Sequence, residues 1–104
     1  MPNTMTILQR AKMALQISTN TLDNEISSLI SSAVIDLGIA GVDNNITEQT
    51  TDPAVIQAII AYVGYQFNLT HGSIDRSKAF KTSYDEMKAQ MSMNSSYTIF
   101  AGGE

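Results

Sequence analysis

The segment that most limits how this chain can fold is an apolar stretch, DPAVIQAIIAYVGYQFN, at residues 52–68. Asp52 followed by Pro53 is typical of a helix start, with the aspartate as N-cap and the proline at the first helical position. After Pro53, only Gln57 and Gln66 are strongly polar before the stretch ends. A helix that is apolar almost all the way round must be buried on nearly every side. Either the rest of a 104-residue chain or a neighbouring chain must therefore cover it.

Three other segments repeat their apolar residues at the period of an amphipathic helix, and they cover residues 6–16, 22–37 and 73–93. We expect Asn20 or Thr21 to cap the second of these helices with a side-chain oxygen. Gly38 and Gly41 are expected to end it. No strand pattern, internal repeat or low-complexity tract appears in the sequence.

The predicted fold class is therefore all-α. We expect a small bundle of about four helices with a long polar loop, VDNNITEQTT at 42–51, and an extended C-terminal tail. Residues 1–93 are predicted to form one helical domain and residues 94–104 to form the tail.

Charge is distributed unevenly along the chain, which has a formal net charge of −4. From Met13 onward there is no Lys or Arg until Arg76, whereas acids recur at Asp23, Glu25, Asp36, Asp43, Glu48, Asp52 and Asp75. An acidic middle repels phosphate, so we do not expect tight nucleic-acid binding through it. The chain also lacks cysteine, which excludes disulfides and cysteine nucleophiles.

Membrane insertion and secretion are not expected. The N-terminal sequence MPNTMTILQRAK has no basic start followed by an apolar run, as a signal peptide would. The apolar run at 53–67 is shorter than the roughly 20 residues that span a bilayer. We therefore expect a soluble intracellular protein.

Few residues have the chemistry of an active site. His71 is the only histidine, and we expect it to lie at a helix end or in solvent. Asp43, Glu48 and Asp52 share one loop, but their order lacks the alternating ligands and fixed glycine of a calcium loop. No phosphate-binding loop, dinucleotide fingerprint or nucleophile elbow is present. We predict no enzymatic activity, no catalytic, metal or cofactor-binding residue, and no cofactor.

Two apolar groups remain as candidates for contacts with other chains. One group is Tyr62, Tyr65 and the small residue Gly64 on the central helix. The other helices of the chain are expected to leave this part of its surface uncovered. The tail carries Tyr97, Ile99 and Phe100 without a helical period. Apolar side chains in such a segment favour docking, either on the domain's own core or on another chain. Two of the three methionines Met87, Met91 and Met93 fall on a helix stripe, which favours core packing over an adaptable binding surface.

The order of these segments resembles a known family. KMALQIS in a short helix, DLGIAGV at the end of a capped helix, DPAVIQAIIAYVGYQFN, and SYDEMKAQMSMNSSYT leading into the tail are the segments that carry the likeness. Together they resemble the small head–tail connector proteins of tailed bacteriophages, also called adaptor or head-completion proteins. The resemblance extends from Thr6 to Thr98.

The resemblance implies a non-enzymatic structural subunit. Such proteins form a homo-oligomeric ring, expected to be twelvefold, on the phage portal, and they join the capsid to a tail or stopper protein. DNA passes through the channel in transit without specific binding, and no membrane is involved. The expected location is the neck of the virion, with assembly in the host cytoplasm.

The same resemblance assigns roles to particular residues. A C-terminal segment commonly grips the portal, which here maps onto residues 94–104 and makes Tyr97, Ile99 and Phe100 the expected contacts. In a ring, the surface around Tyr62, Gly64 and Tyr65 would meet a neighbouring subunit. The loop residues Asp43, Asn44, Asn45 and Glu48 would line the lumen or meet a partner, and their acids would discourage DNA from sticking.

Two other classes of protein remain open at this stage. A small helical regulator, such as a repressor or antitoxin-like module, would need a helix with exposed Arg or Lys, and only the 76–88 segment offers one. A small enzyme or metal-binding four-helix protein would need Glu-Xaa-Xaa-His pairs inside its helices. The chain has none.

Overall fold

A computed structural model describes residues 6–39 and 53–93, which contain four α-helices. They are α1 (Ile7–Leu15), α2 (Asp23–Ile39), α3 (Pro53–His71) and α4 (Ile74–Met93). No strand occurs within the described ranges. The all-α class and the four-helix count predicted from the sequence are confirmed. The polar loop and the C-terminal tail lie outside the described residues.

Helix α3 is the centre of the bundle, and the other three helices pack against it. Its residues Val55, Ile59, Ala61 and Gly64 are all buried, although they point to several sides of the helix. The cover comes from α1, α2 and α4, each of which contacts α3. The chain's own helices therefore cover most of the apolar stretch. Among the described helices, α3 is the one with which α4 makes extensive contact.

Helix α1 begins at a reciprocal cap. The side chain of Thr6 accepts a hydrogen bond from the backbone N–H of Gln9 at 3.1 Å, and the Gln9 side chain accepts one from the Thr6 backbone at 2.9 Å. The helix ends at Gln16, which has the left-handed backbone conformation (φ 60°). These local contacts explain why so short a helix is defined at both ends. Packing of Ile7 and Ala11 into the core supplies the rest.

Two of the residues predicted to bound α2 do not do so. Asn20 does not cap the helix, because its side-chain oxygen accepts a hydrogen bond from the ammonium of Lys12 at 2.8 Å. The same ammonium pairs with Asp23 at 2.8 Å and so connects the start of α2 to α1. A charge-assisted bond is stronger than a neutral capping bond, which accounts for the difference. At the other end, Gly38 lies inside the helix, since the burial of Leu37 holds the last turn in place, and Gly41 lies outside the described residues.

The turn between α3 and α4 is fixed by polar contacts. The buried Asn68 donates through its side-chain nitrogen to the carbonyl of Gly64 at 2.7 Å and accepts from the N–H of Ser73 at 3.4 Å. The hydroxyl of Ser73 then caps α4 by accepting two backbone N–H groups at 3.1 and 3.3 Å. One turn later, the buried Ser77 donates to the carbonyl of Tyr65 at 2.9 Å. These bonds hold the two helices close together.

The buried side of α4 agrees with the predicted stripe. Tyr84 and Met91 are buried, and Phe80 and Met87 are half-buried against the core. Met93 is 84% exposed. Core packing of the two stripe methionines is thus confirmed.

Candidate assembly surface

A cluster of three tyrosines lies where α3 meets α4. Tyr62 packs edge-on against Tyr84 with ring centroids 5.2 Å apart, and against Tyr65 at 6.2 Å. Tyr84 is buried, whereas Tyr62 and Tyr65 are only half-buried. Edge-to-face pairs of this kind fix the rings relative to each other. Tyr62 and Tyr65 therefore present a rigid, partly open aromatic surface.

A polar contact anchors the inner end of the cluster to α2. The Tyr84 hydroxyl donates to Asp36 Oδ2 at 2.5 Å, and Lys88 Nζ lies 3.1 Å from the same oxygen. Burial would raise the pKa of Asp36, but the hydrogen bonds from Tyr84 and Lys88 and the lysine's charge outweigh it and lower the pKa. The pKa of Tyr84 is raised, first by burial and then by its bond to the carboxylate. Tyr84 is thus held neutral as a donor.

Charged and polar groups surround the open side of the cluster. Lys81 Nζ lies 5.9 Å from the centre of the Tyr65 ring and pairs with Asp85 at 2.7 Å. The amide nitrogen of Gln66 is 3.5 Å from the Tyr62 hydroxyl. Burial and the nearby Asp36 carboxylate both raise the pKa of Tyr62. An aromatic centre with a polar rim is the composition typical of a protein–protein contact.

The apolar surface continues along α3 beyond the tyrosines. Leu69 lies four residues after Tyr65 and seven after Tyr62, which places all three on one side of the helix. Its side chain is 49% exposed. We call Tyr62, Tyr65 and Leu69 together the α3 face. The sequence analysis missed Leu69, because in the sequence it looks like one more residue of an apolar run.

Gly64 occupies a different position from the two tyrosines. It is buried beneath the ring of Phe80, and a Cβ added to it would lie 2.6 Å from two atoms of that ring. The close approach that its small size permits is therefore made by α4 of the same chain. The structure therefore brings Tyr62 and Tyr65 together on the surface, whereas Gly64 lies in the interior between α3 and α4. The remaining predicted contacts, Tyr97, Ile99, Phe100, Asp43, Asn44, Asn45 and Glu48, lie outside the described residues.

Two interhelical polar pairs had no signal in the sequence. Tyr84 and Asp36 are 48 positions apart, and His71 and Glu25, whose side chains lie 2.8 Å apart, are separated by 46. His71 ends α3, as predicted, and its ring stacks on Phe67 with centroids 4.7 Å apart. The helix-end position could be predicted from local sequence, but its partner on α2 could not.

The described residues contain no group of three or more His, Asp or Glu side chains placed to hold a metal ion. Across residues 6–39 and 53–93, no helix is long and apolar enough to cross a membrane.

Comparison with known protein families gives a match over most of the chain. A family model described as phage connector protein matches residues 7–98, which include all four helices. The chain belongs to the phage connector family. Searches of curated proteins and of solved structures found no match.

Membership of the connector family gives the chain a structural role in a phage particle. Connector proteins are generally non-enzymatic and interact with other virion proteins. The half-buried tyrosines of the α3 face are a surface of the kind that such interactions require.

Proposed function

We propose that this connector protein is one subunit of a ring that docks on the phage portal and joins the capsid to the tail, with DNA passing through its channel. The observation that carries the proposal is the family match over all four helices of a chain whose central helix keeps an open aromatic face. A ring requires each subunit to present two different surfaces that meet its neighbours. The α3 face is our candidate for one of them. The expected stoichiometry is twelve.

In this proposal, the helical residues 1–93 form the ring and residues 94–104 contact the portal or another partner. Tyr97, Ile99 and Phe100 supply the apolar side chains of that contact, since aromatic and aliphatic anchors dominate binding energy at interfaces. The loop that contains Asp43, Asn44, Asn45 and Glu48 faces the channel. The ring is part of the neck of the virion after assembly in the host cytoplasm, and it binds DNA only in transit.

Co-sedimentation with portal rings encoded by the same phage tests the proposal. We expect wild-type protein to sediment with the portal in stoichiometric amount, and a variant with Tyr97, Ile99 and Phe100 all replaced by serine to bind at least about tenfold more weakly, the loss of about 1.4 kcal/mol. The matched control replaces three polar residues of the same tail, Asn94, Ser95 and Ser96, by alanine. It should bind as wild type does.

Each other outcome has a definite meaning. Full binding by the serine variant would keep the connector role and move the contact to the helical body. No binding of the wild type at micromolar concentration would contradict the portal-docking proposal itself. Within the described helices, Lys81 and Lys88 are both engaged by carboxylates, which leaves only Arg76 and Lys78 of the 76–88 segment without an ion pair and weakens the case for a DNA-binding regulator.

A further inference from the structure

A shallow groove lies along one side of α4. It is lined by Arg76, Ala79, Phe80 and Ser83, which recur at steps of three and four residues, and its volume is about 250 Å³. These residues form one stripe of the helix. Met87 continues the stripe one turn further toward the end of α4 and is half-buried.

The groove combines an apolar floor with a free positive charge. One side of the Phe80 ring packs over Gly64, while the side chain as a whole remains only half-buried. Arg76 is exposed and forms no ion pair with any described residue. A guanidinium one turn from a partly open aromatic ring suits a segment that carries an apolar side chain followed by a carboxylate.

The chain contains such a segment directly after α4. The tail has Ile99 and Phe100, and Glu104 follows four residues later, separated from Phe100 by Ala-Gly-Gly. The acidic stretch between α2 and α3, residues 40–52, contains no aromatic residue. Residues 1–5 contain neither an aromatic nor an acidic residue. Of the three segments outside the described ranges, only the tail thus offers an aromatic ring followed by a carboxylate.

The tail is also long enough to reach the groove by turning back along α4. From Met93, Ser83 is ten residues and Phe80 thirteen residues back along the helix, or about 15 and 20 Å at 1.5 Å per residue. Phe100 is seven residues beyond Met93 and can extend about 23 Å at 3.3 Å per residue. A returning tail meets Ser83 and Phe80 before Arg76. Along the tail, Phe100 likewise comes before Glu104, so the aromatic residue would meet Phe80 and the acid would meet Arg76.

We propose that residues 97–104 dock in the α4 groove of their own chain, with Phe100 on the open side of Phe80 and the Glu104 carboxylate on Arg76. If the proposed function also holds, the tail's apolar side chains are covered in the free subunit and are released when the portal competes for them. That regulatory consequence rests on the proposed function, whereas the docking itself does not.

Disulfide formation between engineered cysteines tests the docking, because the natural chain contains no cysteine. The test pair is Ser83→Cys with Thr98→Cys, which leaves Phe80, Phe100, Arg76 and Glu104 unchanged. The matched control is Thr82→Cys with Thr98→Cys, since Thr82 is exposed on another side of the same helix turn. In both pairs, nearly the same length of chain connects the two cysteines. Their rates of disulfide formation therefore differ only if the tail prefers the groove. Full-length protein is oxidised at low concentration, and the intramolecular product is followed by mass and by non-reducing electrophoresis.

We expect the Ser83 pair to close at least about tenfold faster than the Thr82 pair, in line with the effective-concentration gain of a docked segment. Adding Phe100→Ser to the Ser83 pair should lower its rate to that of the control, and adding Glu104→Gln should lower it part of the way. Far-UV circular dichroism confirms that each variant keeps its helices.

Equal rates for the two cysteine pairs would overturn the docking proposal. Cross-linked dimers that increase with concentration would also overturn it, in favour of a second copy. No portal is used, so neither result bears on portal binding.

Discussion

Two helical glycines of this chain have opposite surroundings. Gly64 lies under Phe80, and an added Cβ would come within 2.6 Å of the ring carbons. A Cβ added at Gly38 meets nothing within 4 Å. The same substitution should therefore have opposite effects at the two positions. At Gly64, overpacking competes with the better helix propensity of alanine, whereas at Gly38 only the propensity acts.

We expect Gly64→Ala to lower the free energy of unfolding by about 1–2 kcal/mol, because the Phe80 ring must shift against a packed core. Gly38→Ala should raise it by about 0.5 kcal/mol, since alanine restricts the unfolded chain and creates no clash near the end of α2. Urea unfolding of both variants, monitored by circular dichroism, measures the difference. A stabilised Gly64→Ala protein would show that Phe80 does not lie over this glycine.

The glycine comparison also shows how far the sequence alone could lead. Ala58, Ala61 and Gly64 are small residues three apart, a spacing that allows close approach by another helix, and such an approach is found at Gly64. The spacing could not tell whether that helix belongs to the same chain, because small residues permit an approach without choosing the partner. The helices themselves were predictable, since apolar period and end signals such as Thr6 and Ser73 act over a few residues. Tyr84–Asp36 and Glu25–His71 were not, because their pairing depends on how whole helices pack.

At the scale of helices, α4 depends on few contacts outside α3. The Asp36 carboxylate on α2 accepts from Tyr84 and pairs with Lys88, and these bonds connect α4 to α2 directly. Because the folded pKa of Asp36 is lowered, its contribution to stability is present above the pKa of the unfolded chain. The contribution is lost as the pH falls through the lower folded pKa.

We therefore expect Asp36→Asn to lower the free energy of unfolding by about 1 kcal/mol at pH 7. A fully buried hydrogen bond to a charged group would contribute more, but this site is partly exposed to solvent. The difference from wild type should shrink as the pH falls below about 4, where the carboxylate of the unfolded chain begins to bind protons, and it should vanish below the lower folded pKa. Urea unfolding at pH 7, 5 and 3 measures it. Asp85→Asn, at an exposed pair within α4, is the control and should cost only about 0.3 kcal/mol at pH 7. A cost for Asp36→Asn that is the same at pH 7 and pH 3 would contradict this account.

At the scale of the whole molecule, the α3 face is our candidate for contact between ring subunits. Tyr65→Ser combined with Leu69→Ser removes two apolar side chains from this face without opening the core. We expect the variant to bind portal rings with reduced cooperativity, because each bound subunit gains less from its neighbour. Met13→Ser, at a residue that is 66% exposed on α1, is the control. Titration of portal rings followed by analytical ultracentrifugation measures the cooperativity, and an unchanged binding curve would exclude the α3 face as a subunit contact.

Charge is also divided between parts of the molecule. All six Lys and Arg residues lie in the described helices, with six of the ten acids, so that this body is formally balanced. The remaining acids are Asp43, Glu48 and Asp52, between α2 and α3, and Glu104 in the tail. The chain's net charge of −4 therefore resides outside the helical body. If the 40–52 segment faces the channel, as we propose, the excess negative charge is directed at the passing DNA.

Reversing these charges should convert the channel from repelling DNA to retaining it. We expect Asp43→Lys with Glu48→Lys to leave portal binding unchanged and to increase retention of double-stranded DNA by assembled rings. Each new phosphate contact should steepen the dependence of log affinity on log salt by about 0.9. The control makes the same reversals at Asp75 and Glu86, two exposed acids of α4 with no ion pair among the described residues. Filter binding of DNA to portal-bound rings across a salt series measures both variants.

Greater retention by the loop variant would support a channel-facing loop, because DNA inside the ring meets the loop from every subunit at once. Equal retention by the two variants would place the loop on the outside of the ring.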